Sequence, residues 1–436
     1  MIRIPDDNIP VLIAGARTPF LDSAGAYSPL MSYELGARAI AGVMQRAPVD
    51  TGSIGLVVMG TVLHEVNTTN VARESMLAGG LPSTIPAYTV AMAGISPSVG
   101  VMNICDQIAL GRLDMGIAGG TENFSDVPVR LSQNMRRMLM KLRQCRSGKE
   151  RLRILAGLRP GDLKLEAPSS SDFTTGLTMG AACEIMATKY GATRAASDAF
   201  AAGSHARAIA ATQQGFFREQ IIPVHVGNVT VTDDNTARAD ATTETLARLK
   251  PAFDREHGII TPGNSSRFSD GAGALLLGSL GSARTQGLTV QAAIRDYCLV
   301  GVPSLQEEML LGPAMSIPKL LQRNGLGYED IDVWEIHEAF ATQVLINRNC
   351  MADSAFVQHH FGVTAPVGEI PLEKLNVWGG SLSLGNPFAA TGVRLFMTAA
   401  QRLRMTGKRY AVISTCAGGG LGAAVLLENA DAIGRA

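Results

Sequence analysis

The sequence predicts an α/β protein made of two similar halves, with a long segment inserted into the first. Three observations carry that reading. Short apolar stretches bounded by glycine or proline alternate with Ala-rich helical stretches, the grammar of a layered α/β domain. The same grammar returns in the C-terminal third. Between the two, residues 125–250 lose the short-strand rhythm.

Taken in order, PVLIAG (Pro10–Gly15), GLVVMG (Gly55–Gly60) and DMGIAGG (Asp114–Gly120) read as buried strands, and Tyr33–Arg46 reads as a helix. APSSSDFTTGLTMGAA (167–182) reads as a loop feeding a helix that starts near Met179. In the last third, Asp332–Ile336 is a strand, Glu338–Asn349 a helix, and a further helix starts at about Ala389. YAVIST (Tyr410–Thr415) and GAAVLL (Gly422–Leu427) form a strand pair around a Gly-rich turn. The expected boundaries are 1–124 plus about 251–285 for the first half, 125–250 for the insertion and 286–436 for the second half. The shared style points to duplication, although no residue-level repeat is visible.

Composition narrows the function. The chain has 436 residues, 46% apolar and 17% charged, which suits a large core. Lys and Arg number 38 and Asp and Glu 38, so bulk charge gives no reason to expect nucleic acid. Six scattered cysteines form no CxxC pair, which argues against a disulfide framework or a metal site. A reducing, cytoplasmic setting is expected. The N-terminal stretch lacks the pattern of a signal peptide, and no apolar run reaches the ~20 residues of a membrane span. His359-His360 has no third ligand in view.

Charge is uneven along the chain. Arg130–Lys164 holds eleven Lys and Arg against Glu150 and Asp162, interleaved with Met135, Met138, Leu139, Met140 and Leu142. One reading is a solvated helical excursion. The other is a surface for something acidic: a phosphate-bearing ligand, a membrane face or a partner subunit.

Three motifs carry possible chemistry. IHEAF (Ile336–Phe340) follows a strand and is expected to open a helix, so His337 can face a cleft. TCAGGG (Thr415–Gly420) sits at a tight turn, where glycines let backbone amides approach a ligand and a thiol stands beside them. Asn376 with Gly379-Gly380, then Gly385-Asn386-Pro387, is a Gly-punctuated run into a helix.

Together with ARTPF (Ala16–Phe20), NVAR (Asn70–Arg73), AGGTE (Ala118–Glu122), GLTMG (Gly176–Gly180), GNSS (Gly263–Ser266) and DGA (Asp270–Ala272), these stretches resemble the thiolase family from end to end. Within it, they look most like the thiolases of bacterial trifunctional complexes. The resemblance implies five layers: two α/β halves, each with a five-stranded sheet between helices, and an inserted loop domain over the coenzyme A. It implies ping-pong acyl transfer on 3-ketoacyl-CoA in fatty acid metabolism, coenzyme A or acyl-CoA as substrate with no permanently bound cofactor, and a homodimer or higher oligomer. It assigns catalytic roles to His337, Cys416 and Gly418, CoA contact to Ser266, and the substrate entrance to Met179.

Two positions depart from the family. Its nucleophilic cysteine falls at Gly94, which cannot form an acyl-enzyme. The histidine of its Gly-His-Pro motif falls at Asn386, which has no titratable ring. Ordinary thiolysis is therefore not expected. The Gly94 and Gly418 amides remain as an anion-binding pair. Ser96-Pro97 reads as a helix start with Ser96 as N-cap. Ser96, Ser98 or Cys416 are the replacement nucleophiles to weigh, while Cys105 and His205 read as structural. Two functions stay open: an acyl-CoA enzyme with altered chemistry, or a silent thiolase-like subunit that binds acyl-CoA or pairs with an active homologue.

Overall fold

The first half's apolar stretches become strands as the sequence predicts. A computed structural model describes residues 4–434. β1 (Pro10–Arg17), α1 (Ser32–Arg46), β2 (Ile54–Gly60), α2 (Val71–Ala78), β3 (Ala87–Val90), α3 (Ser96–Ala109) and β4 (Met115–Glu122) follow in order. The insertion supplies α4 (Gln133–Gln144), α5 (Gly148–Leu155), α6 (Met179–Lys189) and α7 (Arg194–Gln213). The chain returns to the sheet with β5 (Ser269–Ser279). The second half adds β6 (Ala292–Gly301), α8 (Gly312–Asn324), β7 (Val333–Ile336), α9 (Ala341–Ala352), α10 (Phe388–Thr406), β8 (Tyr410–Ala417) and β9 (Leu421–Asn429).

The halves share one winding. In the first, β3, β2 and β4 run parallel, and β5 and β1 join antiparallel. In the second, β7 and β8 run parallel, and β9 and β6 join antiparallel. A lone parallel bridge, Trp334 to Leu375, stands where β3 stands in the first half. The fifth strand of the second sheet has thus shrunk to one pair. The sheets meet where Val11 and Leu12 of β1 pair with Ala293 and Ala292 of β6.

Five layers result. α3 and α10 form the middle one: Ile104 and Phe396 share a core with Val58 and Leu275 of the first sheet and Ile413 and Val425 of the second. α1 covers the outer face of the first sheet through Leu35 and Ile40. α8 and α9 cover the outer face of the second through Ile317 and Val344. Every residue of α10 from Ala389 to Leu403 is buried, as a helix between two sheets must be. Each Leu or Ile buried there stabilises the fold by about 1.5–3 kcal/mol.

One boundary differs from the expectation. The segment after β7 does not open a helix at Glu338; α9 begins at Ala341. Residues 338–340 are held extended instead. Phe340 bridges Ser265, the Ser266 N–H donates to the Ala339 carbonyl, and the Ala341 N–H donates to the Asn264 carbonyl. The Glu338 carboxylate, fully buried, is occupied by Ser204 and Asn376.

The first turn of α10 lies directly on β4. A Cβ at Gly120 would fall inside the van der Waals shell of the Ala389 carbonyl, a backbone atom that cannot swing away. Gly120→Ala is expected to destabilise the protein by about 1–3 kcal/mol or more, since overpacking must shift α10. Denaturant midpoints against wild type measure it, and an unchanged midpoint contradicts the contact.

Candidate active site

The site forms where the N-terminus of α3 approaches the end of β8, with the N-terminal part of α10 packed beside it at Gly392 and Pro97. Before α3 the chain makes a sharp turn. Ala93 has φ +48°, a left-handed conformation that a non-glycine residue adopts only under constraint. The Ser96 hydroxyl supplies that constraint, accepting from the Met92 N–H at 2.8 Å and donating to the Ala93 carbonyl at 2.7 Å. Ile95 occupies the N-cap position, so Ser96 is the first residue inside the helix and not its cap. Its hydroxyl reaches back onto the turn because that turn has the unsatisfied groups. Ser96 is fully buried, and its proton and an acceptor site are committed there, which argues against a nucleophilic role.

Gly94 sits at the crest of this turn. A side chain there would meet open space, its nearest neighbour being the Cys416 carbonyl at 3.8 Å. Gly94 and Cys416 are therefore neighbours. Cys416 lies in β8, and Gly418 opens the turn, with Gly419 and Gly420 at φ +78° and +69°. A methyl added at Gly418 would stand 3.2 Å from Met179 Sδ, which puts the start of α6 over the turn.

His337 follows β7, and its N–H donates to the Ser414 carbonyl in β8. Its Nδ1 lies 2.9 Å from Ser381 Oγ. Burial, with the nearby Arg394 guanidinium, pushes its pKa down to about 3. Burial pushes the Cys416 thiol up to about 12. Desolvation disfavours the charged form of each, so at neutral pH the pair is imidazole and thiol.

Asn386 precedes α10 as Gly94 precedes α3. Its Nδ2 donates to Ser266 Oγ at 3.1 Å, and its Oδ1 accepts from Thr391 Oγ1 at 2.9 Å. Two positions singled out in the sequence, Ser266 and Asn386, are thus in direct contact. The Asn386 side chain has no hydrogen bond to the Gly94 turn. Cys105 is buried in α3 and its thiol is raised by burial. His205 accepts from the Arg238 N–H at Nδ1, and burial lowers it to about 4. Both fit structural roles.

Sequence reasoning gave no role to several supporting residues. Asn376 adopts φ +45° and works as a missing strand: its side chain exchanges hydrogen bonds with the Ile336 N–H and carbonyl, both at 2.8 Å. Ser381 and Arg394 stand behind His337, and Arg394 is fully buried. A lone arginine in the apolar run of α10 was the signal that could have found it. Glu122, at the end of β4, is fully buried and accepts from the Leu63 N–H at 2.8 Å and the Val62 N–H at 3.1 Å. It also accepts from the Ala389 N–H at 3.4 Å. Desolvation raises its pKa to about 7 against the pull of these donors.

Two like halves with their central helices packed side by side between two sheets define a thiolase-type architecture. Comparison with known proteins agrees. The model of the thiolase N-terminal domain matches residues 10–280, and that of the thiolase C-terminal domain matches residues 288–429. The chain belongs to the thiolase family. It is 41% identical to the mitochondrial trifunctional enzyme subunit beta of Mus musculus over 96% of this chain and 88% of that one. It is 38% identical to the 3-ketoacyl-CoA thiolase of Pectobacterium carotovorum over 95% of each. A solved Bacillus anthracis acetyl-CoA acetyltransferase superposes with a TM-score of 0.83 at 30% identity, covering 97% of this chain and 98% of that one. Human mitochondrial 3-ketoacyl-CoA thiolase gives 0.82 at 27%, covering 98% and 100%.

Two expectations follow. Gly94 does not have a left-handed φ, so Gly94→Cys is expected to fold with stability unchanged or raised by about 0.4–1 kcal/mol. Combined with Asn386→His it should gain an acyl adduct at position 94 on incubation with acyl-CoA, read by intact mass. Its absence from a folded double variant counts against open space at this turn. Glu122 binds its proton more tightly folded than unfolded. Its contribution is therefore full below about pH 4.5 and is lost as pH rises through about 7. Glu122→Gln should flatten stability against pH between those values, measured by denaturant titration; an unchanged slope refutes the assignment.

Proposed function

We propose that this chain binds acyl-CoA and 3-ketoacyl-CoA thioesters in the cleft beside Gly94, and polarises a carbonyl there without forming the acyl-enzyme usual in its family. Acyl transfer or C–C bond chemistry in such a site proceeds through hydrogen-bond and proton donation, not through a nucleophile. The observations that carry this are the room at Gly94, whose nearest neighbour is the Cys416 carbonyl at 3.8 Å, and a neutral thiol at Cys416 and a neutral imidazole at His337. Cys416 at about 12 is a poor nucleophile, and His337 at about 3 is a poor base, so neither supplies what Gly94 and Asn386 lack. The family residues and the names of the relatives support the thioester class and a place in fatty acid metabolism. No permanently bound cofactor is proposed. The second reading, a silent subunit paired with an active homologue, draws on the same two substitutions.

The surroundings support further parts of the proposal. β3 is an edge strand with Tyr88 exposed, which favours pairing with a second copy in a homodimer or higher oligomer. α4 and α5 bury none of their residues and expose Leu139, Met140, Leu152 and Leu155 among their basic side chains. That face suits a partner subunit or an anionic membrane surface. Salt-sensitive binding to anionic vesicles supports the membrane; retention of a co-purifying subunit supports the partner. The described cysteines are all unpaired, consistent with the cytoplasm as the proposed compartment.

Single-turnover incubation with 3-ketoacyl-CoA and acetyl-CoA, read by intact mass and product analysis, tests the main proposal. Product without an adduct is expected for the non-covalent enzyme. Bound acyl-CoA with neither product nor adduct identifies the silent subunit. A wild-type acyl adduct on any residue overturns the loss of covalent catalysis.

A further inference from the structure

We infer that Arg394, acting through Ser381, fixes the tautomer of His337 so that Nδ1 is the acceptor and Nε2 carries the proton. The argument is a count of donors. Arg394 Nη2 lies 3.3 Å from Ser381 Oγ, and a guanidinium can only donate, so the serine oxygen accepts there. Ser381 has one proton left to place. Its other hydrogen-bonding neighbour is His337 Nδ1 at 2.9 Å. If Nδ1 carried the imidazole proton, two donors would converge on Oγ, and the serine proton would have no acceptor in a fully buried site. Leaving a buried hydroxyl proton unpaired costs its desolvation with no bond in return, which disfavours that arrangement. Ser381 therefore donates to Nδ1, and the ring proton sits on Nε2.

Nε2 makes no hydrogen bond among the described residues and is the nitrogen left for a ligand. The consequence rests on the function proposed above: His337 offers an N–H to an acceptor oxygen of the bound acyl group, and Arg394 and Ser381 are positioning residues that keep it a donor. Arg394 has no other use for its charge that satisfies it. Its Nε and Nη1 lack hydrogen-bond partners among the described residues, as does one carboxylate oxygen of Glu335, its electrostatic counterpart. A buried arginine held so incompletely is costly, and a long apolar side chain would fill α10 at less expense. The contact with Ser381 is what it contributes.

The test is nitrogen NMR of the ligand-free protein labelled with 15N-histidine, with the His337 signals assigned by loss in His337→Gln. Wild type is expected to show a protonated Nε2 and an acceptor Nδ1 at His337. His205 is an internal control, because its Nδ1 already accepts a backbone N–H. In Ser381→Ala and Arg394→Met the His337 pattern should become a mixture of tautomers while that of His205 stays fixed. Arg394→Lys, which also only donates, should restore it. A proton on Nδ1 in wild type overturns the inference even if every variant fails to fold, and so does an unchanged pattern in a folded Ser381→Ala. The spectrum needs no ligand, so failure to bind acyl-CoA would remove the proposed function and leave the tautomer assignment standing.

Discussion

The site depends on one close approach: the first turn of α10 rests on β4 at Gly120. Because no side chain intervenes there, the start of α10 comes down beside the turn that starts α3. The two middle-layer helices then present their N-termini to the same space, one from each half. Glu122, two residues further along β4, fastens the arrangement through backbone N–H groups of residues 62, 63 and 389. A carboxylate at a helix N-terminus is favourable. Here burial outweighs those donors and raises the pKa to about 7.

The duplicated winding explains why the candidate residues fall where they do. Gly94 leads into α3 and Asn386 into α10; His337 follows β7 and Cys416 ends β8. Each lies at a chain position set by the sheet order, so scattered sequence positions converge. The second half keeps only one pair of its fifth strand, Trp334 with Leu375, and Asn376 extends it by bonding its side-chain amide to the buried backbone of Ile336. That contact holds the end of β7, and therefore His337, in register with β8.

Much of this was legible in the sequence, and the limits have physical causes. The strands, the Met179 helix and the glycine hairpin depend on local pattern or a local motif. The helix after His337 was read three residues early because pairing with Asn264–Ser266 overrides local propensity, and nothing in the sequence of 337–341 encodes that partner. Ser96 was misread for a related reason. Ser-Pro is a good helix start, but the strained turn at Ala93 needed the hydroxyl more than α3 did. Ser381 and Arg394 act through contacts spanning 44 and 13 positions, which spacing does not reveal.

The retained turn bears on what Gly94 is for. Ala93 keeps a backbone conformation that costs of order 1–3 kcal/mol, and Ser96 gives its hydrogen bonding to preserving it. If the position had no remaining use, relaxing the turn would be the simpler outcome. What the turn presents is the Gly94 backbone at the start of α3, where an added side chain has the Cys416 carbonyl as its nearest neighbour at 3.8 Å. At Cys416 and His337, desolvation keeps the thiol protonated and the imidazole uncharged. Under the proposed function these neutral groups act as donors to a bound carbonyl oxygen, and such donors are strongest where water is excluded. They do not generate a nucleophile, which would need the N-terminus of α3 and a side chain at 94 together. The same burial that keeps the Cys416 thiol protonated makes it a poor nucleophile.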